Sequence, residues 1–169
     1  MTIATSASSQ RLRPPHHRVE RRAIAWWTLQ SLAVTVPVLA ATVVTYTVWQ
    51  TARPWLAVAV AGAVVWTVAT VFVEPWWRYA VHRWETTDEA VYGLSGWLIR
   101  EWRVAPISRI QTVDAVRGPI EQVLGLSTLR VTTASSKGAI GIGGLDKDVA
   151  AEIAARLTAV TERTPGDAT

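Results

Sequence analysis

Apolar positions are concentrated in the first half of the chain, in two long runs that contain no charged residue. The first run extends from Ala23 to Val48 and the second from Leu56 to Val73. A helix needs about 20 mainly apolar residues to cross the roughly 30 Å hydrocarbon core of a bilayer, so both runs are long enough, the second only just. We therefore predict a membrane segment at residues 23–75, with transmembrane helices at 24–49 and 55–74.

Tryptophan residues mark both ends of the predicted spans. Trp49 and Trp55 flank a short connection, "WQTARPW", in which Arg53 is the only charged residue. The other ends carry paired tryptophans, Trp26, Trp27, Trp76 and Trp77. Tryptophan is enriched where hydrocarbon meets water, and the roughly 33 Å rise of a helix from Trp27 to Trp49 matches one bilayer. The connection is therefore predicted to be the turn of a transmembrane hairpin, in which Pro54 helps to begin the second helix.

The arginines around the spans predict their orientation. Arg78 and Arg83 follow the second span, the turn has Arg53 alone, and the first span is preceded by Arg11, Arg13, Arg18, Arg21 and Arg22. Because positively charged flanks remain inside the cell, we predict a multi-pass protein with both termini in the cytoplasm. Two alternatives are open: the runs could be buried helices of a soluble protein, or a signal peptide could be cleaved after Ala40.

The basic segment before the first span is also a candidate surface for anionic lipids. Each cation near a membrane surface contributes about 1 kcal/mol to such binding. The candidates for headgroup or interface contact are Arg11, Arg13, Arg18, Arg21, Arg22, Trp26, Trp27, Trp76 and Trp77. In the alternative interpretation, the arginines serve only as the topology signal. Because residues 1–10 are rich in Ser, Thr and Ala, residues 1–22 are predicted to form a disordered basic tail.

Short strand-like patterns dominate residues 76–160, which we predict to form a separate cytoplasmic domain. The first three are "RYAVHRWETT", "AVYGL" and "WLIREWRV", and Ser95-Gly96 is typical of a two-residue hairpin loop. After them come "ISRIQTVDAVRG", a helical turn in "PIEQVLGL", and the strands "STLRVTTAS" and "AIGIGG". About seven short antiparallel strands cannot bury both faces alone, so a barrel or a sandwich is expected.

The chain closes with an amphipathic helix that would cap the domain. Asp146 or Asp148 can accept hydrogen bonds at the start of this helix. The apolar positions of the helix form one stripe, at Val149, Ile153, Leu157 and Val160. The predicted fold class is therefore a membrane α-helical hairpin plus an α+β domain of antiparallel strands capped by a C-terminal helix. Residues 161–169 are predicted to be a disordered tail.

Several short motifs of the second half occur in a distinctive order: Thr87-Asp88-Glu89, Pro106 with Ser108-Arg109-Ile110-Gln111, Gly118-Pro119, Leu124-Gly125-Leu126 and Thr132-Thr133-Ala134. With these motifs, residues 79–157 resemble the bacterial pleckstrin-homology (PH) domain family of membrane proteins, in which a pair of transmembrane helices precedes the domain. The resemblance implies a PH-like barrel capped by a helix, in a protein of the bacterial inner membrane. It implies no established active site.

Composition and motifs do not favour an enzyme. The 169-residue chain has a net charge of +4 and no cysteine, which excludes disulfides and thiolate metal sites. Charges nearly balance within residues 76–160, and this argues against a nucleic-acid-binding face. His82 is the only histidine in that domain, and no phosphate loop or nucleophile elbow is present in the sequence. We expect no catalytic residues, no metal, no cofactor and no small-molecule substrate.

Arg109 and Gln111 are candidates for a binding groove in the domain, because residues two apart on a strand point to the same face. Arg117 completes this candidate set, and Arg100 or Arg103 could also contribute. The alternative is that these side chains tie loops together by hydrogen bonds to backbone carbonyls.

We expect a non-enzymatic integral membrane protein that presents a PH-like binding module at the cytoplasmic surface. Its expected ligands are membrane lipid headgroups, a protein partner or a second copy of the chain. The alternative is an accessory subunit of a transport or export assembly. The small residues Ala61-Gly62-Ala63 would allow partner helices to approach closely, and Glu74 would be either a functional carboxylate within the membrane or an interfacial residue.

Overall fold

Two long helical stretches and a two-sheet domain make up the described part of the chain, which comprises residues 15–96, 99–134 and 139–163 of the computed structural model. The first elements are a short strand β1 (His17–Arg18) and helices α1 (Arg22–Val48), α2 (Arg53–Val68) and α3 (Glu74–Val81), with a 3₁₀ turn at Gln50–Ala52 and a π-helical turn at Ala69–Val73. α1 and the helical stretch Gln50–Val81 are each long and apolar enough to cross a membrane. They pack against each other as a hairpin.

The predicted turn between the two apolar helices is confirmed. α1 ends at Val48, a 3₁₀ turn follows, and α2 begins at Arg53 with Pro54 in its first turn. Most side chains of both helices are exposed. Core helices of a soluble protein are covered by the rest of their domain, so this hairpin needs an apolar environment that the described residues do not provide.

The second helical stretch extends further than predicted. The prediction that a strand begins at Arg78 is wrong, because helix α3 continues to Val81, beyond the predicted transmembrane span of about 55–74. Pro75 occupies the first turn of α3, where its missing N–H costs no hydrogen bond. The carboxylate of Glu74 lies 3.3 Å from the guanidinium of Arg78 one turn later, which favours the helix. Strand β2 therefore starts only at Arg83.

The strands form two antiparallel sheets, with the orders β1-β2-β3-β4 and β5-β6-β7. The remaining elements are β2 (Arg83–Thr86), β3 (Ala90–Ser95), β4 (Glu101–Pro106), β5 (Ile110–Val116), α4 (Pro119–Leu124), β6 (Leu126–Thr133), β7 (Ile140–Asp146) and α5 (Lys147–Arg163). The expected strand number and the C-terminal helix are confirmed. Of the two expected arrangements, a barrel or a sandwich, the closed barrel is not formed. The chain leaves the first sheet through a 3₁₀ turn at Ile107–Arg109, and β4 and β5 are not paired.

The connection between β3 and β4 is longer than predicted. Ser95 pairs with Glu101, which leaves residues 96–100 between the strands instead of a two-residue loop. The strand predicted for "WLIREWRV" therefore begins only at Glu101, and residues 97–98 lie outside the described part of the chain. Ile99 in this connection is 78% exposed, so the connection carries an apolar side chain at the surface.

An apolar core fills the space between the sheets and under α5. It contains Val91, Ala105, Ile107, Ile110, Leu129, Val131, Ile140, Ile142, Leu145, Ala150, Ile153 and Leu157. The predicted stripe of α5 supplies Ile153 and Leu157, and Val160 packs at the border of the core. Val149 is exposed and its neighbour Ala150 is buried instead. The amphipathic pattern of α5 therefore identified the buried face, with an error of one position at its start.

Helix α5 begins at a side-chain cap, as its sequence predicts. The backbone N–H of Asp148 donates to Oδ1 of Asp146 at 2.9 Å. The helix extends to Arg163, beyond the predicted end at residue 160. The predicted tail is therefore wrong for residues 161–163, and residues 164–169 lie outside the described part of the chain.

The prediction of a disordered tail over residues 1–22 is wrong for residues 15–22. β1 pairs with β2, so that His17 lies opposite Trp84 and Arg18 opposite Arg83. A second buried cluster joins the same segment to the domain and consists of Val19, Ala23, Trp27 and Leu126. Because these partners are distant in sequence, no local pattern reveals the strand. Two of the predicted lipid candidates, Arg11 and Arg13, precede the described residues.

The start of α1 lies directly against strand β7. The backbone N–H of Glu20 donates to the carbonyl of Gly144 at 2.9 Å. A Cβ atom on Gly144 would lie 2.7 Å from the Cβ of Ala23, and a Cβ atom on Gly143 would lie 3.1 Å from the ring of Trp26. Gly144 also has a φ of +77°, a conformation that favours glycine. The glycines of "AIGIGG" therefore allow α1 to approach the sheet at backbone distance.

We predict that Gly144→Ala destabilises the junction between α1 and the domain. The added methyl group overlaps Ala23 and strains a positive-φ backbone, which together cost about 1 to 3 kcal/mol of the free energy of unfolding. The matched control is Gly141→Ala on the same strand, where an added Cβ atom meets no atom within 4 Å. Thermal unfolding of the full chain in detergent measures both. Equal melting temperatures for the two variants would contradict the close contact.

Candidate functional site

Arg22 connects helix α1 to the domain through its guanidinium group. Nη2 donates to Oδ2 of Asp146 at 2.6 Å, and Nη1 donates to the carbonyl of Leu124 at 3.1 Å. The pKa of Asp146 is lowered from its ordinary value, first by the hydrogen bond from the Asp148 backbone and then by Arg22. The guanidinium group of Arg22, a predicted lipid candidate, is therefore engaged by the domain, although the side chain lies at the surface.

Trp27 is packed inside the same junction and is not available to lipid headgroups. It is 5% exposed, and its ring centroid lies 5.0 Å from that of His82. The guanidinium carbon of Arg78 lies 5.7 Å from the Trp27 ring, within the range of a cation–π interaction. Burial is the main cause of a lowered pKa of His82, and the positive charge of Arg78 also lowers this pKa. The hydrogen bond from Nδ1 of His82 to the carbonyl of Arg78, 2.9 Å long, acts in the opposite direction but does not outweigh burial. The junction thus favours a neutral imidazole against Trp27.

The exposed members of the predicted interface set lie near the ends of α1 and α3. Trp76 is 64% and Trp77 is 48% exposed, whereas Trp26 is half-buried against Gly143. Arg21 is exposed and borders a groove of about 700 Å³ between α1 and α3. The groove is lined by Arg21, Ile24, Ala25, Thr28, Leu29, Trp76 and Tyr79. It is mainly apolar and lies at the level of the paired tryptophans.

A second groove, of about 560 Å³, lies on the first sheet beside the end of α3. It is lined by Pro15, His16, Ala80, Val81, Arg83, Leu94, Arg100 and Trp102. Arg18 lies opposite Arg83 on the neighbouring strand, and we call this groove, together with Arg18, the arginine groove. Sequence reasoning named Arg18 and Arg100 separately and missed Arg83 as a binding residue. The signal available in the sequence was strand alternation. Trp84 packs against the core, so its neighbour Arg83 extends to the opposite face of the sheet.

The predicted groove of Arg109, Gln111 and Arg117 is not formed. Arg109 ends the 3₁₀ turn before β5, and Gln111 lies at a bulge near the start of this strand. Arg117 follows the other end of β5, so the strand separates it from Arg109 by about 20 Å. Nε of Arg117 donates to the carbonyl of Leu126 at 3.1 Å, and Nη2 donates to that of Gln122 at 3.3 Å. Arg117 therefore follows the alternative interpretation, in which these side chains connect loops through hydrogen bonds to backbone carbonyls.

The buried carboxylate of Glu121 serves the fold. Its Oε2 accepts the backbone N–H of Gly118 at 2.6 Å and its Oε1 accepts the hydroxyl of Thr128 at 2.7 Å, so it fastens α4 to β6. Within the described ranges, no group of three or more His, Asp and Glu side chains could hold a metal ion. The end of the domain next to the apolar helices carries two grooves and a set of exposed arginines, which are candidate binding surfaces.

Comparisons with known proteins relate the helices and the domain to one family. The family model described as "Bacterial PH domain" matches residues 23–161. The UPF0699 transmembrane protein YdbS of Bacillus subtilis (strain 168) is 28% identical over 130 residues, which cover 72% of this chain and 79% of that protein. No solved structure is a significant match. Because the matched range begins at the first apolar residue of α1, the apolar helices are part of the family unit.

We predict that Arg22→Gln raises the pKa of Asp146 towards its ordinary value, although the Asp148 N–H still keeps it lowered. Because the folded-state pKa of Asp146 lies below its unfolded value, the ion pair stabilises the fold above about pH 4, and this contribution is lost as the pH falls through the lowered pKa. Carboxyl-carbon NMR measures the pKa, and thermal unfolding from neutral to acid pH measures the stability.

The matched control for this prediction is Arg156→Gln, which removes a 2.6 Å ion pair to Asp88 far from the junction. It should leave the pKa of Asp146 unchanged. If the stability difference between wild type and Arg22→Gln were the same at every pH, the ion pair would not be its cause.

Proposed function

Because the chain belongs to the bacterial PH domain family and is a membrane protein with transmembrane helices, we propose that it is a non-enzymatic binding protein of the bacterial inner membrane. In this proposal, α1 and the stretch Gln50–Val81 both cross the membrane, and the two-sheet domain lies at the cytoplasmic surface. Of the three expected ligand classes, the exposed arginines favour anionic lipid headgroups over a protein partner or a second copy of the chain.

The observation that carries the proposal is the fixed attachment of the domain to both helices. α1 is held by the Arg22–Asp146 ion pair and by its contact with Gly144, and α3 ends only one residue before β2. A domain attached in this way presents one face to the membrane surface. Weak contacts between that face and headgroups then suffice, because the attachment keeps their effective concentration high.

The distribution of arginines supports a cytoplasmic domain. Arg18, Arg21 and Arg83 lie at the domain end of the hairpin, whereas the turn at its other end has Arg53 alone. Positive charge next to membrane helices is retained on the cytoplasmic side. The same charges are available to the anionic lipids of that surface.

We predict that a cysteine at position 51 reacts from outside the cell and a cysteine at position 151 does not. Thr51 and Ala151 are both exposed, and the chain has no cysteine of its own, so Thr51→Cys and Ala151→Cys give single reactive thiols. A membrane-impermeant maleimide applied to intact spheroplasts should label position 51, and position 151 should require permeabilisation. Labelling of position 151 in intact spheroplasts would contradict the orientation.

We predict that the full chain, purified in mild detergent, retains more anionic phospholipid than the membrane average. Each exposed arginine near the surface contributes about 1 kcal/mol to this attraction. Mass spectrometry of extracted lipids compares the bound and bulk compositions, and a high-salt wash should lower the enrichment because exposed charges are screened. Bound lipid with the bulk composition would exclude a lipid-binding function and would leave a protein partner or self-association.

A second candidate, an accessory subunit of a transport or export assembly, is favoured by one feature of the apolar helices. A groove of about 270 Å³ between α1 and α2 passes Gly62 and Ala63, next to Trp66, which is 61% exposed. The indole N–H of Trp66 lies well inside the proposed span, where hydrocarbon offers no acceptor, so a partner helix with an acceptor would stabilise it. A photo-crosslinker at position 66 should then give protein adducts, and lipid adducts alone would argue against this candidate.

A further inference from the structure

Two arginines face each other across the β1–β2 pair, Arg18 opposite Arg83. Directly opposite residues of an antiparallel pair extend to the same face of the sheet, and like charges in these positions are destabilising. Among the described residues, neither arginine has an ion-pair partner. An anion bound between the two guanidinium groups would replace this repulsion by attraction.

The same row of the sheet provides a groove for such an anion. Leu94 is the cross-strand neighbour of Arg83, and Trp102 is that of Leu94, so an apolar surface continues from the arginine pair. Arg83 and Arg100 line the groove, and Arg18 lies opposite Arg83 on the neighbouring strand. The arginine groove, about 560 Å³ in volume, therefore combines a cationic rim with an apolar floor.

Nearby carboxylates offset only part of the charge of these three arginines, because no ion pair joins Glu85 or Glu101 to any of them within the described residues. Oε2 of Glu85 accepts the backbone N–H of His16 at 3.2 Å. Glu101 is paired with Arg103 at 2.8 Å. Within the described part of the chain, the arginine groove thus keeps an excess of positive charge, which favours an anionic ligand.

The arginine groove opens at the depth of the lipid headgroups in the proposed orientation. Ala80 and Val81, at the end of α3, are part of its lining. A helix rises about 6 Å from Trp77, at the interface, to Val81, and the headgroup layer is about 5 to 8 Å thick on each side of the hydrocarbon core. Ile99, next to Arg100 in the chain, adds an exposed apolar side chain. A headgroup phosphate can therefore reach the arginines without leaving its leaflet.

We infer that the arginine groove binds the phosphate group of an anionic phospholipid, an inference that rests on the proposed function. Arg18 and Arg83 donate charge-assisted hydrogen bonds to the phosphate oxygens, for which the guanidinium fork is well suited. Leu94 and Trp102 contact the carbon atoms of the headgroup. The position of the groove favours a lipid over a soluble phosphate compound, because lipid phosphates are concentrated in that layer.

The test uses the full chain in nanodiscs of phosphatidylcholine, with and without phosphatidylglycerol. Wild type is expected to melt at a higher temperature when phosphatidylglycerol is present and to retain this lipid in native mass spectra. Arg83→Gln should lower that retention about fivefold, the effect of one surface cation. In the phosphate-free detergent dodecyl maltoside, Arg83→Gln should melt at the same or a higher temperature than wild type, because the repulsion with Arg18 is removed. A purely structural arginine would not give this second result.

Three variants complete the design. Arg18→Gln removes the other member of the pair and should give the same loss of retention, which keeps the test valid if Arg83→Gln fails to fold. Arg83→Lys keeps the charge and should recover part of the retention. The matched control is Arg109→Gln, which removes an exposed arginine outside the groove and should behave as wild type.

The outcomes separate this inference from the proposed function. If wild type prefers phosphatidylglycerol and both groove variants keep that preference, the arginine groove is not the site, although the lipid-binding function stands. If wild type shows no preference, the lipid-binding function fails and the inference fails with it. If glycerol phosphate in solution raises the melting temperature in phosphatidylcholine nanodiscs as much as phosphatidylglycerol does, the ligand is a soluble phosphate compound and the assignment to lipid is overturned.

Discussion

The contact of helix α1 with strand β7 determines how the rest of the molecule is arranged. At Gly144 the backbone of the sheet approaches Ala23 so closely that no side chain fits between them, and Arg22 binds Asp146 beside this contact. A helix whose remaining surface is apolar is thereby attached to a domain with an ordinary polar exterior. The direction in which α1 leaves the domain is fixed by packing as well as by chain connectivity.

The second attachment reinforces the first. α3 follows α2 and ends one residue before β2, and Trp27 of α1 packs against His82 and Arg78 at that end. Two helices that enter the domain side by side restrict the rotation of the domain. The end of the domain that contains β1 and β2 therefore lies next to the membrane helices. The proposed binding of headgroups depends on this restriction, since the arginines of a freely rotating domain would meet the surface only part of the time.

Local sequence patterns predicted the elements whose structure depends on residues close together in the chain. The uncharged runs and their tryptophans predicted the hairpin and its turn at Trp49–Trp55, and the stripe of α5 predicted its buried face. The family resemblance added the type of domain, and the comparisons agree with it. These features depend on residues close together in the chain or on motifs that keep their order.

Long-range contacts explain what the sequence did not reveal. Strand β1 exists because Arg18 and His17 meet β2, more than sixty residues later, and its alternation over two residues is too short to detect. Helix α3 replaced a predicted strand because "RYAV" fits either structure and the preceding helix decided the outcome. The predicted groove failed for a related reason: β5 separates Arg109 from Arg117, whereas Arg18, Arg83 and Arg100 meet only after the sheet has formed.

The distance between the far end of the hairpin and the domain tests the rigid junction most directly. Spin labels at Gln50→Cys and Ala151→Cys, two exposed positions in a cysteine-free chain, report this distance by pulsed electron paramagnetic resonance in nanodiscs. A fixed junction predicts one narrow distance distribution, which Gly144→Ala broadens and Gly141→Ala does not. A broad distribution in the wild-type protein would show that the domain moves freely on its helices and would contradict the arrangement on which the proposed function depends.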